Sequence, residues 1–270
     1  MNRVSLSGRT VLVTGAARGL GRELALRLGV EEGSNLILVD RDEGGLKQLA
    51  AEIGSQSSGT VRVLAKDLLE VSCAQSLFDE LETADVYGLV NNAGLTYYGP
   101  TGAAQLELYR SIIGLDFRLV VELSLLFLSR FKIKGEGFIC NITSLGSFVP
   151  IPYQAVYAAA KAAAQSFSES LMVENRGGAV VISTVAPSGI ETDMISEAGL
   201  TGHMRRHRYS YLSAEDAAGQ VISGLKRGKR LIIPGFINRL IYLAINVLPR
   251  NFLLRLAGSI YDYDKYGGTG

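Results

Sequence analysis

Tyr157 and Lys161, in the run Tyr-Ala-Ala-Ala-Lys, are two side chains that could move a proton together. They fall in an alanine-rich stretch, 155–172, with helical character, so the i, i+4 spacing places both on one helix face. A free phenol titrates near ~10, too high for efficient proton exchange at neutral pH. A nearby ammonium favours the phenolate, and lowering the phenol by about three units takes roughly 4 kcal/mol of differential stabilisation. Partly desolvated charges at short range supply that much. The phenol is therefore expected to titrate below its ordinary value, giving a proton to a ketone oxygen or taking one from an alcohol as hydride moves at carbon. Ser144 ends an apolar run shortly before Tyr157, where a hydroxyl could hold the reacting oxygen. Thr143 and Ser147 carry the same chemistry, and residue type alone does not choose among the three.

Hydride chemistry needs a carrier, and the first apolar run ends in Thr14-Gly15-Ala16-Ala17-Arg18-Gly19-Leu20-Gly21 with a helix-like segment directly after it. Gly15, Gly19 and Gly21 permit a tight turn and close backbone approach, and the helix N-terminus offers N–H groups to a pyrophosphate. Asp40 closes the second apolar run, where a carboxylate can accept from the adenosine ribose hydroxyls and repel a 2′-phosphate. Arg18 and Arg41 pull the other way, since either could neutralise that phosphate. The balance favours NAD over NADP. A fourth run ends in Asn91-Asn92-Ala93-Gly94, small residues that let a cofactor lie against the sheet.

The elements that must position these residues are legible as apolar runs. Strands are expected at 10–14, 35–40, 61–65, 88–91, 137–142, 179–186 and 229–233, with helical periodicity between them at 21–29, 45–53 and 73–81. Continuous runs such as Leu36-Ile37-Leu38-Val39 belong to strands buried on both faces. Repeated strand–helix alternation implies a single doubly wound, Rossmann-type α/β domain with a mostly parallel sheet and helices on both faces. Residues 1–235 form the expected dinucleotide-binding and catalytic domain, 193–212 a substrate loop within it, and 236–270 an apolar, basic extension that ends in the glycine-rich tail 267–270.

In its ordered set of motifs the chain resembles the short-chain dehydrogenase/reductase family over about residues 6–235. The features are the 14–21 turn, Asp67-Leu68 after the third strand, Asn-Asn-Ala-Gly at 91–94, Ser144, the Tyr157–Lys161 motif and the 187–192 stretch after the sixth strand. The resemblance selects Ser144 over its neighbours and implies that Asp67 and Leu68 flank an adenine. It further implies that Asn91, Ala93 and Gly94 line the cofactor, Lys161 holds the nicotinamide ribose, and Pro187, Ile190 and Thr192 approach the carboxamide. Two departures stand out. Asp116 occupies a position where the family usually has an asparagine whose backbone helps place a proton-relay water. Its charge is expected either to act on Lys161 or to serve only a helix kink. The second departure is Pro187-Ser188-Gly189 where the family more often reads Pro-Gly, so Ser188 is expected to take up the glycine turn.

A chain of 270 residues with formal charge +1 gives no basic excess for nucleic acid, and its 47% hydrophobic content is that of a packed domain. Two cysteines, Cys73 and Cys140, fit a reducing cytoplasm, and no signal peptide is evident at the N-terminus. His203 and His207 read as a solvated pair in a basic stretch, and no metal site is expected. From Thr201 to Arg255 ten Lys/Arg face only Glu215 and Asp216. The apolar run after Pro234 is too short to span a bilayer. Its polar side chains, Asn238, Tyr242 and Asn246, form a thin stripe at helical spacing. A hydrophobic small-molecule substrate, peripheral membrane contact through 236–256 and assembly of like subunits are the expected uses of this segment. The competing reading of the whole chain is a dinucleotide-binding sensor or scaffold without turnover.

Overall fold

The structure is a computed structural model that describes residues 3–263; the glycine-rich tail 267–270 lies outside the described residues. β-branched residues and leucines build the strands β1 (Thr10–Thr14), β2 (Asn35–Asp40), β3 (Val61–Ala65), β4 (Val86–Asn91), β5 (Gly137–Ile142) and β6 (Val180–Val185). Two short pieces, β7 (Ile190–Glu191) and β8 (Leu212–Ser213), pair with each other, and β9 (Leu231–Ile232) joins the main sheet. That sheet has seven strands in the order β3-β2-β1-β4-β5-β6-β9, every pairing parallel. This is the doubly wound, Rossmann-type arrangement expected from the alternation. The sixth and last strands are shorter than the apolar runs that announced them, because β9 pairs with β6 only through Thr184↔Leu231 and Val185↔Ile232.

Period-2 alternation explains how one strand serves two cores. In β1, Val11 and Val13 face α1 (Gly19–Leu26), α2 (Glu43–Gly54) and α9 (Ala214–Lys226), while Leu12 faces α3 (Cys73–Glu80), α5 (Leu119–Lys134) and α6 (Ala155–Glu174). Chain order reverses between β1 and β4, so a crevice opens at the carboxyl ends of these two strands, where open α/β sheets bind ligands.

Two irregularities bear on the site. α4 (Leu106–Ile113) runs into α5 through a widened, π-type turn at Gly114–Arg118 that carries Asp116; such turns recur at functional positions. Between β7 and β8 the chain forms α7 (Asp193–Glu197) and α8 (Thr201–Arg206), and α7 with Leu200 lines the crevice. Beyond β9, α10 (Phe236–Val247) and α11 (Arg250–Ile260) form a pair of amphipathic helices.

Candidate active site

The crevice is a cleft of about 690 Å3 that runs from the glycine turn to Tyr261. At its first end, Gly15 and Gly19 have φ of +64° and +56°, in the left-handed region where a side chain is strained. Close packing closes the turn on every side. A Cβ on Gly21 would lie 2.0 Å from the Gly15 carbonyl oxygen, and one on Gly15 would lie 2.8 Å from the Ala93 Cα. Thr14 joins turn and loop, its Oγ1 accepting from the N–H groups of Asn92 and Ala93 at 3.0 and 3.1 Å. Asn92 returns the contact through Nδ2, which donates to the carbonyls of Thr14 and Gly15 at 3.0 Å each. Glycines bare the backbone where it would meet a pyrophosphate, so this turn fits a dinucleotide.

Arg18, Leu20, Asp40, Arg41, Asp67, Leu68, Ala93, Gly94, Pro187, Ile190 and Thr192 line the cleft with Gly15 and Gly19. Gly21 lies beneath the turn. Asn91 departs from expectation: its side chain points into the interior, donating to Asn141 Oδ1 at 2.8 Å and to Ser124 Oγ at 3.2 Å, and Asn92 takes the cleft wall. Asp40 is held by backbone, one oxygen accepting from the Ala17 N–H and the other from the Asp42 N–H, both at 3.1 Å. Arg18 is engaged by both carboxylate oxygens of Glu197 on α7, a bridge from the turn to the covering loop that sequence reasoning missed.

In the middle of the cleft stand Ser144, Tyr157 and Lys161. α6 opens at Ala155, so Tyr157 lies in its first turn and Lys161 one turn on. Ser144 caps the short turn 145–147, accepting from the Gly146 N–H at 3.1 Å. Its two neighbours are committed elsewhere. Thr143 Oγ1 lies 2.8 Å from Gln165 Oε1 and 3.0 Å from the Val185 carbonyl, and Ser147 Oγ donates to the Lys161 carbonyl at 3.0 Å, tying the turn to α6.

Asp116 is fully buried and faces Lys161 directly, Oδ1 to Nζ at 2.9 Å, as an ion pair off the best hydrogen-bond direction. Its other oxygen accepts from the Leu95 N–H at 3.2 Å, and Lys161 donates to the Ile142 carbonyl at 2.9 Å. The widened turn thus does more than kink a helix; it brings a carboxylate to the lysine. A Cβ on Gly94 would sit 2.5 Å from Asp116 Oδ1, so the glycine makes room for the pair. Burial disfavours the lysine's charge, but Asp116 and Tyr157 outweigh it and Lys161 titrates above its ordinary value. Burial likewise pushes the Asp116 carboxyl up against the pull of Lys161.

The expected lowering of the Tyr157 phenol is not found. Burial raises it, Lys161 lowers it, Asp116 raises it again and Ser144 lowers it through a hydrogen bond; the sum lies above the ordinary phenol. The ammonium acts as anticipated, but burial and the aspartate together exceed it.

Two further expectations are corrected. Tyr153 is the one non-glycine residue with positive φ among the described residues, so Ser188 takes no left-handed turn. Gly189 takes no left-handed turn either; a side chain is excluded there by close packing, since a Cβ would lie 2.1 Å from the Tyr211 ring. His203 is not solvated: it is 3% exposed, stacks on Tyr261 with 4.5 Å between ring centroids, and pairs through Nδ1 with the Tyr211 hydroxyl at 3.0 Å. Burial lowers it to about 4. Tyr211 and Tyr261 both line the cleft, and no spacing or motif in the sequence singles them out. Among the described residues no cluster of His, Cys, Asp and Glu could hold a metal.

The sequence profile described as short chain dehydrogenase matches residues 9–201. SadH of Mycobacterium tuberculosis is 30% identical over 271 residues, spanning 96% of this chain and 94% of that one. The 3-oxoacyl-[acyl-carrier-protein] reductase FabG of Vibrio harveyi is 33% identical over 192 residues, 71% of this chain and 77% of its own. A short-chain dehydrogenase from Sphingobium yanoikuyae, solved in complex with NADPH, is similar with a TM-score of 0.80 at 27% identity, over 88% of this chain and 92% of that one.

Proposed function

Because the chain belongs to the short-chain dehydrogenase/reductase family and is an NAD(P)-dependent oxidoreductase, we propose that it interconverts a secondary alcohol and a ketone, with Tyr157 as general acid/base. The observation that carries this reading is one cleft with the glycine turn at one end and Ser144, Tyr157 and the Asp116–Lys161 pair in its middle. A sensor without turnover has no use for that buried pair beside a phenol.

The bound nicotinamide dinucleotide supplies or accepts the hydride. Tyr157 exchanges the proton at the substrate oxygen, and Ser144 donates to the same oxygen and holds it towards the phenol. A phenol kept above its ordinary value holds its proton at neutral pH and starts as an acid, the state that ketone reduction needs. Lys161 is anchored by Asp116 and Ile142, with N–H donors left for the nicotinamide ribose. Leu95, Leu145, Ile151, Met194 and Leu200 on the cleft wall favour a substrate with a hydrophobic body.

Three features support the finer reading. Asp40, fixed at the adenosine end, and Arg18, engaged by Glu197, favour NAD over NADP. Cys73 and Cys140 are buried and unlinked, as suits the cytoplasm. α10 turns the first part of its polar stripe inward: Asn238 is buried, donating to the Pro234 carbonyl at 2.9 Å, and Tyr242 packs on Phe148, while Asn246 is exposed. Phe236, Leu240, Leu243 and Val247 are left exposed, with Phe252, Leu254 and Leu256 on α11 and with Arg239, Arg250 and Arg255 nearby. No helix among the described residues is long and apolar enough to cross a membrane. Apolar side chains rimmed by cations suit an anionic lipid surface, and Leu125, Ile133 and Val173, exposed elsewhere, suit contact between like subunits.

Tyr157→Phe removes the exchangeable proton and keeps the ring, so ketone turnover falls by about 10²–10⁴-fold while calorimetry shows coenzyme still bound. Near-normal turnover removes Tyr157 from the mechanism. In the same titrations the unmodified protein binds NADH more tightly than NADPH, and Asp40→Ala narrows the gap; a preference for NADPH overturns the assignment of Asp40. Co-sedimentation with vesicles rich in phosphatidylserine declines as salt rises, each basic residue near the surface contributing about 1 kcal/mol. Absence of binding at low salt contradicts the lipid contact, and sedimentation of the protein alone as a monomer contradicts subunit assembly.

A further inference from the structure

Proton transfer uses the middle of the cleft and leaves the substrate end without a role. Two tyrosines from distant parts of the chain form that end, Tyr211 before β8 and Tyr261 after α11. Their hydroxyls are in different situations. Tyr211 is paired with His203 Nδ1 at 3.0 Å, and its ring fills the space left by Gly189. Tyr261 borders the cleft, and no group among the described residues hydrogen-bonds its hydroxyl.

Tyr261 is nevertheless firmly placed. Its ring lies flat on His203, 12° between planes, and its carbonyl accepts from the Tyr98 hydroxyl at 3.3 Å. α11 anchors it from behind through Leu253 and Ala257, which are buried. Burial pushes the phenol up to about 12, with Tyr157 close enough to contribute, so it keeps its proton and stands as a donor across from the catalytic phenol. A substrate filling the cleft displaces water from this hydroxyl. A stranded donor is costly, so a substrate that offers it an acceptor is favoured over one that does not.

We propose that Tyr261 is a specificity-determining residue whose hydroxyl donates a hydrogen bond to a second oxygen of the substrate, remote from the ketone that is reduced. The site thereby selects hydrophobic ketones that carry an ester, thioester or hydroxyl oxygen over plain hydrocarbon ketones. This rests on the ketone-reductase reading above and assigns a binding role to the C-terminal helices, whose last turn delivers the residue.

The test uses pairs of ketones matched in chain length, such as ethyl 3-oxohexanoate and nonan-4-one, assayed with NADH and NADPH. The unmodified enzyme prefers the oxygen-bearing member in kcat/KM by about tenfold or more, and Tyr261→Phe, which keeps the stacked ring, reduces that preference to near unity. Coenzyme affinity of the variant, read by calorimetry, stays within about twofold, which separates loss of selectivity from a disturbed fold. A preference unchanged by Tyr261→Phe, or an unmodified enzyme that favours the plain ketone, overturns the proposal and leaves the reductase reading standing. No turnover of any ketone by the unmodified enzyme sinks both.

Discussion

A carboxylate and an ammonium almost without access to water, Asp116 and Lys161, constrain the middle of this molecule. Taking two ions out of water costs several kcal/mol each, and only close contact and further hydrogen bonds offset it. The fold provides both, through the Leu95 N–H for the carboxylate and the Ile142 carbonyl for the ammonium. Each ion depends on the other, since removing one partner of a buried pair costs about 3–5 kcal/mol. The widened turn between α4 and α5, the absence of a side chain at Gly94 and the start of α6 all follow from the need to bring these groups together. Lys161 titrates above its ordinary value in the fold, so its contribution is fully present below the unfolded ammonium value. That contribution is lost only as pH climbs through the raised value.

The glycine turn obeys a different constraint, close approach of backbone to backbone. Gly15, Gly21 and Ala93 pack within distances that no Cβ tolerates, and Thr14 and Asn92 lock the turn to the loop after β4. The glycine-turn end of the cleft is thereby fixed to the carboxyl ends of β1 and β4. Rigid elements hold reacting groups more accurately than mobile ones. The segment between β7 and β8 carries the softer work of covering the site, held to the turn by an exposed Arg18–Glu197 contact of little energetic weight.

Much of this was legible in the sequence because it rests on local patterns. Apolar runs gave β1, β2 and β5 with their boundaries, since the middle of a strand buried on both faces is apolar, and β3, a half-exposed edge strand, showed through its β-branched and leucine residues. Glycine spacing and the i, i+4 pair Tyr157 and Lys161 pointed to residues that the fold brings together in one cleft. What escaped was long-range. Nothing around Asn91 announces that its side chain turns inward towards Asn141, fifty residues away. The sign of the Tyr157 shift depended on burial and on Asp116, neither of which follows from the spacing to Lys161. His203 looked solvated because its neighbours are arginines, but Tyr261 arrives from the far end of the chain to cover it. Of the polar stripe Asn238, Tyr242 and Asn246, packing turned the first two inward, left Asn246 exposed, and left much of the apolar face outward, against the usual sense of an amphipathic helix.

The aspartate at position 116 therefore holds the account together, because it favours the charged form of a buried lysine beside the Tyr157 phenol. Titration of the Lys161 side-chain nitrogen by ¹⁵N-detected NMR, in the unmodified protein and in Asp116→Asn, reads this directly. With Asp116 present Lys161 titrates above the usual ammonium value; with the charge removed, burial is unopposed by it and the titration moves down. Titration of Lys161 at the same pH in both proteins would contradict the account.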